Sequence, residues 1–318
     1  MTLNISVSPD ATTMGIRSAK FVANKILALV AQADAAHSTA PIRVIVATGA
    51  SQFTFIEALV AIPNLPWDRV AFFHLDEYVG LDQGALHPAS FRKYLNDRLF
   101  SKLSPAPAAI HLVDPDNIAK YEQALLEGDI DLACIGIGEN GHVAFNDPPV
   151  ADFNDPVLVK IVELDTACRQ QQVGEGWFDS LDNRWVPRRL FVLFWLLLFL
   201  FSLCLAPFVF GRDSLNHLFF RCFFFFAVLG YLCSPTHAVT LTVPAIMRCR
   251  TISCVVPDER KAQAVRGCLH DEIGPACPAT CLRNHADTHL WLDAASATLL
   301  PKEQQKQQTQ QAEQGGSK

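Results

Sequence analysis

One stretch restricts the fold more than any other: Asp131-Leu-Ala-Cys-Ile-Gly-Ile-Gly-Glu-Asn-Gly-His-Val-Ala-Phe-Asn-Asp-Pro-Pro149. Leu132 to Ile137 is a short apolar run and reads as a buried strand. Gly136, Gly138 and Gly141 then turn the chain and let a ligand come close to the backbone. His142 and Asp147 follow in the same loop, which Pro148-Pro149 ends. A strand end fixes position, glycines give access, and an imidazole exchanges protons near neutral pH. The pattern fits an acid–base site, although a lone loop histidine is equally a solvated or capping residue.

The rest of the chain repeats this alternation. Asp10 is placed to cap a helix over about 11–36, with Ile16, Ala19, Phe21, Val22, Ile26, Leu29 and Val30 at helical spacing. Residues 42–47 read as a strand. Thr48-Gly49-Ala50-Ser51-Gln52 then leads into a helix ending near Ala61. Small residues between a strand and a helix N-terminus offer free N–H groups and the positive end of the helix dipole to an anion. The loop is not a Walker sequence, and it is also compatible with a plain turn capped by serine.

Residues 70–75 form the next predicted strand, which ends at Asp76-Glu77. Carboxylates at the C-terminal end of a parallel strand lie where open α/β sheets bind ligands, but the same pair suits a turn cap. Helices are expected over about 88–102 and 116–127, and strands over 131–137, 157–163, 237–243, 251–256 and 288–292. Asp258 begins a helix with Lys261 in its first turn. A cation there is unfavourable toward the helix dipole unless an anionic ligand needs it or it is simply solvated. The expected fold is α/β: a mainly parallel, twisted, Rossmann-like sheet with helices on both faces.

Composition narrows the function classes. The net charge of −6 comes with no basic stripe, which argues against nucleic acid. The ten cysteines form no C-x-x-C pair and no His/Cys spacing suited to zinc, so free buried thiols in a reducing compartment are expected. No charged-then-apolar leader opens the chain, so a cytoplasmic location is expected. The Gln-rich residues 301–318 are expected to be disordered.

Four pieces together resemble the glucosamine-6-phosphate deaminase/isomerase family, which is related to 6-phosphogluconolactonases. They are Thr48-Gly49-Ala50-Ser51, Leu75-Asp-Glu-Tyr-Val-Gly-Leu81, Gly136-Ile-Gly-Glu-Asn-Gly-His-Val-Ala-Phe-Asn-Asp-Pro148 and Val256-Pro-Asp-Glu-Arg-Lys-Ala262. The likeness runs over about 1–182 and 235–300. The lactonase branch carries Ser-Leu-Phe-Pro where this chain has Phe-Asn-Asp-Pro. The resemblance implies conversion of glucosamine 6-phosphate and water to fructose 6-phosphate and ammonia, with no metal or organic cofactor. It assigns the phosphate to Thr48, Gly49, Ala50, Ser51 and Lys261, and ring opening to His142. Asp76 would carry a proton between C2 and C1, and Asp147 would orient His142. Asn140 stands where many members have Asp, Asp147 where many have Glu, and Gly176 near the place of a phosphate-binding Arg, for which Arg169 is a candidate substitute that spacing alone does not establish. The alternatives are a 6-phosphogluconolactonase-type hydrolase and a non-catalytic sugar-phosphate sensor. The expected partner is a small sugar phosphate, with a homo-oligomer possible.

Residues 183–234 break the pattern. Leu190–Phe210 is almost wholly apolar and long enough for a bilayer span, and Leu218–Leu232 is Phe-rich. A membrane hairpin is one reading, with Arg184, Arg188 and Arg189 as its flank. The preferred reading is a retained intron. Removing the segment joins Ser180-Leu-Asp182 to Pro235-Thr-His-Ala-Val in the family's uninterrupted pattern.

Overall fold

The computed structural model describes residues 2–81, 87–181 and 233–301. Met1–Gln171 together with Pro235–Lys318 forms one compact unit, and Gln172–Ser234 forms a second. The apolar insertion falls almost wholly outside the described residues, as does the tail from residue 302. Among the described residues, no helix is long and apolar enough to cross a membrane.

The larger unit is built on seven parallel strands in the order β1-β10-β9-β6-β2-β3-β5. Their bounds are β1 Thr2–Ser8, β2 Ile42–Val46, β3 Val70–His74, β5 Ala109–His111, β6 Leu132–Ile135, β9 Thr251–Val256 and β10 Asp287–Asp293. Every pairing in this sheet is parallel. β3, β6 and β9 are buried at every residue, because a parallel sheet is covered on both faces. That is why their sequences are mostly apolar, with only His74, Thr251 and Ser253 as polar members. The α/β class expected from the sequence is therefore the one observed.

Helix α1 (Ala11–Ala35) starts at Asp10, whose carboxylate accepts from Thr13 N at 2.7 Å. It buries Met14, Ala19, Val22, Ala23, Ile26 and Val30 against the sheet side, while Ile16 points outward, contrary to its assignment from spacing. Fully burying a side chain of this size is worth about 1.5–3 kcal/mol, so this one face outweighs the helix's modest capping. α2 (Phe53–Val60), α3 (Phe91–Arg98) and α4 (Ile118–Leu126) follow the strands as expected, but shorter. The predicted 88–102 helix becomes α3 plus a separate 3-10 turn at Phe100–Lys102.

Three strands were not foreseen. β1 and β5 are edge strands with partly exposed residues and a weak apolar signal. β4 (Asp76–Tyr78) belongs to a second, antiparallel sheet ordered β4-β8-β7, with β8 at His237–Leu241 and β7 at Val159–Glu163. Leu75 is the pivot between the sheets. Its N–H donates to Val46 O at 3.3 Å, and its carbonyl accepts from Leu241 N at 3.1 Å. After β8 come α6 (Val243–Met247) and, past β9, α7 (Ala262–His270); α5 spans Thr166–Gly174. Within the smaller unit, Ser180 pairs with Cys233, and Ser234 N donates to Ser180 O at 2.9 Å.

Candidate active site

The strand order sets β9, β6, β2 and β3 side by side, and a candidate group follows the C-terminal end of each. Lys261 follows β9, His142 and Asp147 follow β6, Thr48–Ser51 follow β2, and Asp76 follows β3. In an open α/β sheet this edge is where ligands bind.

The β2 loop leads through a 3-10 turn at Ala50–Gln52 into α2. Gly49 has φ 91°, a conformation that side-chain-bearing residues resist, and its carbonyl accepts from Gln52 N and from Tyr94 Oη at 3.1 Å. Tyr94 stacks on Phe53, so α3 and α2 hold the loop jointly. Gln52 is buried and donates to Ile135 O at 3.2 Å, which ties the loop to β6. Lys261 is only 2% exposed and ends a 3-10 turn, Glu259–Lys261. Asp258 caps that turn, accepting from Arg260 N at 3.0 Å, rather than capping α7 itself. A lysine so buried is not the solvated surface residue its position also allowed.

The β6 loop holds the acid–base pair. His142 Nδ1 lies 2.9 Å from Asp147 Oδ1, at an angle short of a well-aligned hydrogen bond. The imidazole lies against Gly138: a Cβ there would sit 2.2 Å from His142 Cε1. Asp147 is 0% exposed. Burial alone would raise its pKa, but His142, Asn140 and the Asp165 amide more than offset this, and its carboxyl titrates below the usual range. Asn140 bridges the two members of this pair. Its amide donates to Asp147 Oδ1 at 2.9 Å, and its oxygen accepts from His142 N at 3.1 Å. Asn146 is buried and ties the loop to β8, donating to Val143 O at 2.9 Å and Leu241 O at 2.8 Å.

The adjacent carboxylates part company. Glu77 is consumed by structure, accepting from Tyr78 N, Phe91 N, Arg92 N, Arg92 Nε and Ser90 Oγ at 2.8–3.1 Å. It is the anion at the N-terminus of α3. Asp76 is 5% exposed, and burial, then the Glu77 charge, push its pKa well above the ordinary carboxylate value. Cys168, on α5, is the residue that spacing gave no reason to single out. Burial, then Asp147, push its thiol well up, and Asp76 and Lys261 are also within its electrostatic reach. Four candidate groups thus share one neighbourhood.

Comparisons with known proteins find similar sequences and folds. A family model described as glucosamine-6-phosphate isomerases/6-phosphogluconolactonase matches residues 16–157. A curated glucosamine-6-phosphate deaminase from Listeria monocytogenes is 27% identical over 80% of this chain and 86% of its own length. One from Rhodopirellula baltica is 26% identical over 94% of this chain and 97% of its own. Among solved structures, a monomeric glucosamine-6-phosphate deaminase superposes with TM-score 0.66 at 22% identity, covering 93% of this chain and all of its own. A 6-phosphogluconolactonase from Leishmania guyanensis reaches 0.59 at 14% identity, covering 95% of this chain and all of its own. In sequence and in fold, the chain is thus similar to the glucosamine-6-phosphate isomerases and 6-phosphogluconolactonases.

Proposed function

We propose that this protein is a glucosamine-6-phosphate deaminase of amino-sugar metabolism. The observation that carries the reading is the division of labour between two carboxyls: one pinned beside an imidazole, the other buried apart from it with a raised pKa. The deaminase reaction needs two proton-handling groups at different atoms. His142 exchanges a proton at the ring oxygen and opens the sugar, with Asp147 fixing the ring. Asp76 takes the proton from C2 and returns it to C1, leaving an imine at C2 that water hydrolyses to fructose 6-phosphate and ammonia. A carboxylate whose pKa is raised is a stronger base than an ordinary one, so it takes the C2 proton more readily and holds it for delivery to C1. Thr48–Ser51 and Lys261 hold the phosphate by backbone N–H groups and a buried point charge. Hydrolysing a lactone would need the imidazole but no carbon-to-carbon proton carrier.

The test is release of fructose 6-phosphate from glucosamine 6-phosphate by the full-length chain. Turnover is expected, and Asp76→Asn is expected to lower it by ~10²–10⁴-fold or more. Hydrolysis of 6-phosphogluconolactone without deamination would overturn the reading in favour of the lactonase, and tight sugar-phosphate binding without turnover would favour a sensor.

We further infer that residues 1–182 and 235–300 form one sugar-phosphate domain, which 183–234 interrupts as intron-encoded sequence. The hydrogen bond between Ser180 O and Ser234 N supports this, because the two sides of the interruption already meet. The described cysteines are free and nearly all buried, which supports a cytoplasmic, reducing location.

A further inference from the structure

We propose that His142, Asp147 and Cys168 form a binding site for a borderline-soft divalent cation of the zinc class, and that filling it stops proton transfer at His142. The binding half of this inference stands on geometry; the inhibitory half rests on the role given to His142 above.

The three side chains come from two places in the chain, the β6 loop and α5, and the fold brings one ligand atom of each within 4.8 Å of the others. His142 Nδ1 and Asp147 Oδ1 are already 2.9 Å apart. Tetrahedral zinc, with bonds of about 2.0–2.3 Å, places its ligand atoms roughly 3.3–3.8 Å apart. The cluster closes on an ion with side-chain shifts of about an ångström. All three are largely buried, Cys168 to 1% and His142 to 9% exposure, so little water competes for the ligands.

The donor set selects the metal. Imidazole nitrogen, thiolate sulfur and one carboxylate oxygen suit zinc and its neighbours, whereas magnesium and calcium require oxygen. Two anionic ligands and a neutral imidazole cancel a dipositive ion, which a buried site requires. The carboxylate is also held from behind. Asn140 Nδ2 donates to Asp147 Oδ1 at 2.9 Å, and Asp165 N donates to Oδ2 at 3.2 Å. Outer partners of this kind fix the orientation of a metal ligand. A water completes the fourth position.

Binding follows a simple proton balance. The Cys168 thiol releases its proton to solvent as the sulfur binds. His142 gives the Nδ1 lone pair, and its remaining ring proton sits on Nε2. That nitrogen then has no lone pair for a sugar hydroxyl proton, and Asp147 no longer faces a titrating imidazole. Ring opening stops without any oxidation or reduction. The ion is thus an inhibitor and takes no part in turnover.

Cobalt(II) is the probe, added to the metal-free full-length chain. One equivalent is expected to produce a thiolate-to-cobalt charge-transfer band in the near ultraviolet, which one equivalent of zinc abolishes. Cys168→Ala and the closer-sized Cys168→Ser are both expected to lack the band. Zinc is expected to suppress turnover reversibly, with a chelator restoring it. In both variants the zinc concentration for half-suppression should rise at least tenfold, each judged against its own metal-free rate. No band in the unaltered protein, or a band that survives both substitutions, would overturn the site. Zinc suppression equal in all three proteins would overturn the inhibitory half. The band is read without substrate, so failure of the deaminase assignment leaves the binding result standing.

Discussion

Asp76 and Glu77 are neighbours with opposite fates, and the difference makes a prediction about pH. Glu77 meets five donors; Asp76 is buried with its pKa raised by desolvation and by Glu77. A raised folded-state pKa means the folded protein binds that proton more tightly than the unfolded chain does. Asp76 therefore favours the fold at acid pH, and that contribution is lost as pH rises through the raised value. Asp76→Asn keeps the shape and removes the charge. It should be more stable than the unaltered protein at neutral pH, by a margin that shrinks toward pH 4, while its turnover collapses. Thermal unfolding from pH 4 to 8 measures this, and a variant less stable at pH 8 would contradict the burial argument. The dipeptide was readable as a carboxylate pair at a strand end. Which member was free for chemistry was not, because four of the five donors to Glu77 come from Ser90 and the start of α3, more than ten residues later. Cys168 was hidden for the same reason: its partner Asp147 lies on the other side of β7, and only the fold brings α5 back to the β6 loop.

At the level of elements, the strands most easily read were those buried on both faces, since β3, β6 and β9 are mostly apolar and broken only by His74, Thr251 and Ser253. β4 escaped because it continues directly from β3 through Leu75, and a single pivot residue leaves no mark in hydrophobic periodicity. The loop after β6 was legible through its glycines, yet their roles differ. Gly138 is required because the imidazole occupies the space a methyl group would take. In Gly138→Ala the atoms in the way are the His142 ring and not backbone, so the fold escapes by turning His142 aside. Stability should change by no more than about 1 kcal/mol, whereas a catalytic group displaced by an ångström typically loses ~10²-fold in rate. Substrate affinity should change little, because the phosphate loop is untouched. Kinetics beside a melting curve separate these effects, and equal losses in KM and kcat would show that the loop as a whole had moved.

The whole molecule poses the question of how an α/β domain accommodates residues 183–234. On the proposed reading, composition alone locates the break in the sequence, and a contact joins the positions on either side. Ser180 and Ser234 are joined by a 2.9 Å hydrogen bond, so the interruption begins and ends at one point. β7 and β8, which precede and follow it, are antiparallel partners in register from Val159–Leu241 to Glu163–His237. On the proposed reading, their pairing does not need residues 183–234. Joining Asp182 directly to Pro235 leaves Leu181 and Asp182 to span a gap that two residues easily cover. Closing a loop of roughly fifty residues costs chain entropy that grows as the logarithm of its length, so removing it returns up to about 3 kcal/mol. It also removes two apolar runs that, if exposed, would exceed what a soluble surface tolerates. The deletion protein is expected to unfold in one cooperative transition at a higher temperature than the full chain. It should also stay in the aqueous phase without detergent and keep its turnover of glucosamine 6-phosphate. Calorimetry and a detergent-partition assay on both proteins decide it. If the deletion protein unfolds below the full chain or loses the β7–β8 pairing, then residues 183–234 are a structural part of the domain and not an interruption of it.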